Sequence, residues 1–296
     1  MFCCILYKAM IKYVRRKWEK MTIQDLLELG IKELRKAKID NPQWLAKKIL
    51  ANEIDKNITY LAIHNKEEID DKTKEKFKLA IIKKQNGIPL QYITHKQDFM
   101  GLCFYVDENV LIPRVDTEIL VEEVIEIAKN TENIKILDMC TGSGAIAISL
   151  AKYLPNAKIS ASDKSIKALK IAKENAKNNN VKIDFIESDL FKNINHKYDI
   201  VVSNPPYIET EVIKTLDVEV QNEPLMALDG GKDGLDFYRI IANEVKEYLN
   251  KDGYLALEIG YNQRETVTEI LNKEGYVNIY SKKDYGGNNR IVVGKK

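Results

Sequence analysis

The sequence predicts an α/β protein: a seven-stranded, mostly parallel sheet preceded by a small helical bundle and a β-hairpin connector. Three observations predict it. From about residue 134, apolar runs of strand length alternate with segments of helical period, as βαβ units do. Before residue 86 the apolar residues recur at helical spacing instead. Between them lies an alternating stretch through Phe99, Leu102, Phe104, Val106, Val110 and Ile112, punctuated by Gly101 and Asp107-Glu108-Asn109, which suggests one or two hairpins. At 296 residues the chain exceeds one average domain, and its 45% of apolar residues can fill more than one core.

The expected domains are a helical bundle over 21–86, a connector over 87–112 and a larger α/β domain over 113–296. Met21-Thr22-Ile23-Gln24-Asp25-Leu26-Leu27 looks like a fresh start, with Thr22 able to cap a helix. Asn41-Pro42 places proline in the first turn of a second helix carrying Trp44, and Asp70-Asp71 opens another through Phe77, Ile81 and Ile82. The tryptophan and leucine stripes are expected to be core. Residues 1–20 read as an extension outside the fold; the alternative is a short basic amphipathic helix that touches a membrane or RNA.

In the larger domain, Asp116–Lys129 is expected to be a capped amphipathic helix with Thr117 and Glu118 in its first turn. Strands are expected at 134–137, 157–161, 181–186, 198–203 and 253–259, with helices at 145–153, 165–178, 235–249 and 263–273. A hairpin of 276–282 and 290–293 around Gly286-Gly287 closes the chain.

Composition excludes some classes. Charged residues make up 30% but the net charge is only +2, so no global basic field argues for nucleic acid. Residues 1–20 carry six basic residues against Glu19, a net of +5, which leaves the rest at about −3. Four cysteines, with no Cys-x-x-Cys pair or His cluster, give no metal site and point to a reducing compartment. The basic residues follow the apolar opening rather than precede it, unlike a secretory signal, and no segment approaches the ~20 apolar residues of a membrane span. A cytoplasmic monomer is expected, without stable nucleic-acid or membrane binding.

Two stretches carry chemistry. Leu137-Asp138-Met139-Cys140-Thr141-Gly142-Ser143-Gly144-Ala145 is a strand, a tight loop and a helix start, where glycine lets a ligand lie against the backbone. Its spacing fits a dinucleotide fingerprint, and Asp163 ends the next strand, where an acidic residue binds ribose hydroxyls. The loop alone does not separate a nicotinamide dinucleotide from S-adenosylmethionine. Asp138 tilts the choice: a carboxylate there suits the α-ammonium group of a methyl donor and repels a pyrophosphate. Asp189 and Leu190, after the third strand, supply a carboxylate for an adenine amino group and an apolar wall.

The second stretch, Asn204-Pro205-Pro206-Tyr207, follows the buried strand Tyr198–Ser203. Two prolines remove two N–H donors and keep the local carbonyls out of a helix. That suits a planar substrate –NH2 group, whose hydrogens the Asn204 side-chain oxygen and the Pro205 carbonyl accept while Tyr207 covers its flat face. Taken alone, the stretch is also an ordinary proline turn.

From Gly87 onward, and more loosely from Met21, the chain resembles the HemK/PrmC family of protein-(glutamine-N5) methyltransferases. The matching runs include Pro89-Leu90-Gln91-Tyr92-Ile93, Ile112-Pro113-Arg114-x-Asp116-Thr117-Glu118, Thr141-Gly142-Ser143-Gly144-Ala145-Ile146-Ala147 and Asn204-Pro205-Pro206-Tyr207-Ile208. They continue through Glu223-Pro224, Gly230-Gly231-x-Asp233-Gly234-Leu235, Leu257-Glu258-Ile259-Gly260 and Lys283-Asp284-x-x-Gly287-x-x-Arg290. Asn-Pro-Pro-Tyr alone is shared with enzymes that methylate adenine or guanine amino groups; the combination is more specific.

The resemblance implies a Rossmann-like S-adenosylmethionine-dependent methyltransferase that modifies the glutamine of the Gly-Gly-Gln motif in bacterial class I peptide chain release factors, yielding S-adenosylhomocysteine, with the helical bundle helping to hold the protein substrate. Asp138, Cys140, Thr141, Gly142, Ser143, Gly144, Asp163, Asp189, Leu190 and Asn204 are then the donor-binding residues, and Asn204, Pro205, Pro206 and Tyr207 bind and activate the substrate. The alternatives are methylation of an exocyclic amine of DNA or RNA, and a non-enzymatic donor-binding sensor. Cys140 and His95 stand where the family usually has glycine, both read as tolerated variation.

Overall fold

The computed structural model describes residues 21–296; the extension and its alternative basic helix lie outside the described residues. After Thr94 the chain divides into two compact units.

The first unit is helical, with α1 (Ile23–Lys36), α2 (Pro42–Glu53), α3 (Ile58–Ile63), α4 (Asp71–Gln85) and α5 (Leu90–Thr94). Thr22 and Asp25 form a reciprocal capping box at the start of α1: Thr22 Oγ1 accepts from the Asp25 N–H (3.2 Å) and Asp25 Oδ2 from the Thr22 N–H (2.9 Å), worth about 1 kcal/mol. Asp70 caps α4 by accepting from the Thr73 N–H (3.0 Å). Leu26, Leu34, Ile49, Leu50, Leu61 and Phe77 fill the core. Trp44 departs from the expectation: it is 50% exposed, with the Lys48 ammonium over its ring. Leu45 and Ile49, one turn apart, take the buried face, and Trp44 sits about 100° around the helix from Leu45.

The second unit opens with one hairpin, β1 (Gln97–Phe99) and β2 (Leu102–Phe104). No strand follows in 106–112; Val106, Val110 and Ile112 are buried without sheet partners. A single 3-10 turn, Val115–Thr117, leads into α6 (Glu118–Ala128). The helix is expected to be capped with Thr117 in its first turn; instead Thr117 stands at the N-cap position without a side-chain cap bond, and its hydroxyl meets Asn204.

The sheet comprises β3 (Lys135–Met139), β4 (Lys158–Asp163), β5 (Asp184–Glu187), β6 (Tyr198–Ser203), β7 (Leu249–Glu258), β8 (Val277–Lys283) and β9 (Asn289–Lys295), in the order β5-β4-β3-β6-β7-β9-β8. All pairings are parallel except those of β9 with β7 and β8. The long helices between strands are α7 (Ala145–Tyr153), α8 (Ile166–Asn178), then, after the short α9 (Thr210–Ile213) and α10 (Val218–Gln221), α11 (Asp236–Glu244) and α12 (Arg264–Lys273). Helix α11 stops earlier than its sequence suggests: a 3-10 turn over Val245–Glu247 ends it, and β7 starts at Leu249.

Apolar side chains fill both faces of the sheet. Leu137, Val201, Leu255 and Leu257 pack with Tyr238, Ile241 and Val267 on one side, and Ile136, Ile200, Val202 and Ala256 with Leu120, Val124 and Ile148 on the other. Two-sided burial is why the parallel strands read as nearly continuous apolar runs. An open, mostly parallel sheet of this kind binds ligands at the carboxyl ends of its strands, where the strand order reverses. Here Met139 is in register with Ser162 of β4 and Ser203 of β6, so Cys140, Asp163 and Asn204 leave the sheet side by side. No helix of the described residues is long and apolar enough to cross a membrane.

Candidate active site

A cavity of about 550 Å³ opens at these strand ends. Of the residues expected to bind the donor or the substrate, Cys140, Gly142, Asp163, Asp189, Leu190, Asn204 and Pro206 line it; Asp138, Thr141, Ser143, Gly144, Pro205 and Tyr207 do not. The remaining wall comes from segments to which sequence assigned no role, chiefly Asn109–Leu111 and Pro224–Ala227, with Ser188 and Phe237.

The residues off the wall build the loop. Asp138 is fully buried; its Oδ2 accepts from the Thr141 hydroxyl (2.5 Å) and from the Ala147 N–H in the first turn of α7 (3.1 Å), while Oδ1 is enclosed with no partner. Burial pushes its carboxyl up to about 7, against the pull of those two hydrogen bonds. Gly144 (φ +83°) is needed for packing, since a Cβ there would stand 2.9 Å from Ile148 Cδ1 and 3.1 Å from Ala172 Cβ. Gly142 (φ +55°) is different: a Cβ there would meet no protein atom within 4 Å, and the residue lines the cavity. The backbone at Gly142 is thus open to a ligand. Cys140, at φ +61°, occupies the left-handed region that favours glycine, as does His95 at φ +55°. That geometry accounts for glycine at both positions in the resembling family.

Asp163 ties the loop to the next strand. Its Oδ2 accepts from the Gly142 N–H (2.9 Å) and its Oδ1 from the Ser165 N–H (2.8 Å), while burial raises its carboxyl above the ordinary carboxylate range. Asp189 is held low, first by the Lys192 ammonium at 2.6 Å. A wall with three carboxylates (Asp163, Asp189 and Asp229), an open glycine backbone and the apolar Leu190, Leu225 and Phe237 fits a nucleoside ligand with hydroxyl and amino groups.

At the end of β6, Asn204 donates its amide N–H to Thr117 Oγ1 (3.3 Å), and its side-chain oxygen takes no hydrogen bond from the described residues. The loop beyond is clamped. Ile208 donates to the Leu228 carbonyl (3.0 Å) and Gly230 to the Ile208 carbonyl (2.8 Å). Gln263 Nε2 donates to the Tyr207 carbonyl (3.0 Å) and to the Gly234 carbonyl (3.2 Å). The Tyr207 hydroxyl donates to Glu258 Oε1 (3.3 Å), and burial raises its own pKa well above that of free tyrosine.

The flanking motifs are braces for this loop. Arg114 forms an ion pair with the buried Glu223, whose Oε2 also accepts from the Ile112 N–H (3.0 Å). Asp116 meets Arg290 (3.3 Å), which also pairs with Asp284 (2.9 Å). Thr117 takes Asn204, and Glu118 accepts from the Met100 N–H (2.6 Å). So four residues within Pro-Arg-x-Asp-Thr-Glu reach four distant segments. Their repeated polar spacing was visible in sequence; their partners, 18 to 174 positions away, were not.

Comparison with known proteins establishes the family. The methyltransferase small domain model matches residues 114–221, and the PrmC N-terminal domain model matches residues 25–94. The release factor glutamine methyltransferase of Fusobacterium nucleatum is 40% identical over 277 residues, covering 92% of this chain and 78% of that protein. Its counterpart in Clostridium botulinum is 38% identical over 282 residues, covering 93% and 100%. A solved methyltransferase from Pyrococcus furiosus, 19% identical, shares the fold with a TM-score of 0.50 over 66% of this chain and 89% of its own. With relatives matched over most of both lengths, the chain belongs to the release factor glutamine methyltransferase family, the HemK/PrmC family its motifs resemble.

Proposed function

We propose that this enzyme transfers a methyl group from S-adenosylmethionine to the side-chain amide nitrogen of the glutamine in the Gly-Gly-Gln motif of a class I release factor, in the cytoplasm. The observation that carries the reading is Asn204 at the cavity wall, its amide nitrogen engaged by Thr117 and its oxygen left to accept. The names of the relatives favour a protein amide over a nucleobase amine. Residues 21–86 would help hold the protein substrate, and the exposed Trp44, Ile63 and Leu79 give that unit apolar surface for the task.

Gly142, Asp163, Asp189 and Leu190 would hold the donor, which supplies an electrophilic methyl group when bound. The chain's own contribution is orientation. An amide nitrogen is a poor nucleophile because its lone pair is delocalised into the carbonyl. Accepting its two N–H groups at Asn204 Oδ1 and the Pro205 carbonyl points that lone pair into the cavity and stabilises the positive charge that grows on the nitrogen. No strong base is required, since the methylated nitrogen becomes acidic and its proton can pass to water.

Labelled donor offered with a release factor, with nucleic acid or with neither tests the reading: label is expected in the release factor glutamine, and label in nucleic acid or nowhere would overturn it. Asp163→Ala is expected to raise the donor dissociation constant at least about tenfold, the scale of hydrogen bonds to a charged group. An unchanged constant by calorimetry would remove Asp163 from the donor site.

A further inference from the structure

The turn after Glu223-Pro224 carries two large apolar side chains that the fold leaves in water. Leu225 is 60% exposed and Met226 51%, yet both line the same cavity as Asn204. A side chain that borders a cavity and keeps half its surface outside stands at the mouth. The turn is also firmly anchored. Before it, the buried Glu223 accepts from the Ile112 N–H and pairs with Arg114. After it, Leu228 is buried, and its carbonyl accepts from the Ile208 N–H (3.0 Å), next to the Asn-Pro-Pro-Tyr loop. Between these anchors the backbone closes on itself: the Ala227 N–H donates to the Pro224 carbonyl (2.8 Å), and the Leu228 and Asp229 N–H groups both donate to the Leu225 carbonyl (3.0 Å). Leu225 and Met226 are thus held outward by their own backbone. Exposed apolar surface continuous with a binding cavity marks a contact surface.

Which partner covers it follows from the site beneath. A glutamine that belongs to a protein reaches Asn204 only through its own short side chain, so the chain on either side of it must come to rest on the mouth of the cavity. A small free amide would enter the cavity and leave Met226 half in water. The donor is the other occupant to weigh. Gly142, Asp163 and Asp189, which would hold it, follow from β3, β4 and β5, whereas the turn is fastened to the loop after β6, beside Asn204. Leu225 also belongs to the apolar wall of the cavity. Met226 therefore separates the two occupants better.

We propose that the turn bearing Leu225 and Met226 is a docking surface for the release factor itself, packing against apolar side chains beside the target glutamine; this rests on the reading of Asn204 as the acceptor for that glutamine's amide.

The test compares Met226→Gln, which keeps the length and neutrality of the side chain but not its apolar surface, with Met226→Leu, which stays apolar at similar volume. Met226→Gln is expected to raise KM for the release factor about fivefold or more, the scale of withholding half an apolar side chain from burial. Its kcat and its Kd for S-adenosylmethionine should change less than KM does. Met226→Leu should keep KM within about twofold of the parent. A glutamine variant with the parent KM, or a leucine variant as weak as glutamine, overturns the proposal alone, because the parent still methylates its target. A rise in Kd for S-adenosylmethionine as large as that in KM would assign the turn to the donor and overturn it as well. A parent that fails to methylate a release factor overturns the proposed function and this inference with it.

Discussion

Asn204→Ala is expected to lose turnover by on the order of 10²–10³, while the protein stays folded and still binds S-adenosylmethionine. The reason lies in what the side chain touches. Asn204 is half-buried at the end of β6, held by one hydrogen bond to Thr117, with its oxygen free. Alanine removes that acceptor and restores none, so one of the two substrate N–H groups loses its partner. Little of the fold depends on it: Ser203 beside it still bonds the Met139 carbonyl (2.7 Å), and Ile208 and Gly230 still clamp the loop. Methyl incorporation at saturating substrates measures the effect, and calorimetry measures donor binding. Methylation at the parent rate would refute the role given to Asn204.

Gly234→Ala is expected to damage the same loop from behind. Gly234 has φ +70°, and a Cβ there would stand 2.4 Å from the Tyr207 carbonyl oxygen and 2.9 Å from Gln263 Nε2. These two atoms are hydrogen-bonded to each other at 3.0 Å, so the new methyl group would be forced into that bond. Either Tyr207 moves or the bond breaks. We expect a loss of about 2–4 kcal/mol of stability from strain and a broken buried hydrogen bond, with kcat reduced at least about tenfold by displacement of the loop. Denaturant unfolding and steady-state kinetics check the two parts. Parent stability together with parent kcat would show that Gly234 has no part in holding Tyr207.

The two variants separate what the loop does from what holds it, and the division follows how far each feature depends on distant contacts. Asn-Pro-Pro-Tyr and the glycine loop were legible because their chemistry is local: prolines remove donors wherever they stand, and a glycine at positive φ marks a close approach. The strands of the sheet were legible for the same reason, as burial on both faces leaves an unbroken apolar run. Trp44 was misjudged because period alone does not say which side of a helix a neighbour covers, and Leu45 and Ile49 took the buried side. Thr117 read only as a first-turn residue of a capped helix, and the polar partner that claimed its hydroxyl is 87 residues away.

By itself, the sequence determined the α/β alternation, the glycine loop after β3 and the proline turn after β6, since propensity, period and backbone chemistry act over a few residues. Only the tertiary structure decided that Cys140, Asp163 and Asn204 emerge in register, that Asp138 braces the loop from behind the cavity wall, and that Arg114, Asp116, Thr117 and Glu118 each reach a different brace. Those arrangements depend on strand order and on ion pairs and hydrogen bonds between residues far apart in the chain, which no local rule encodes.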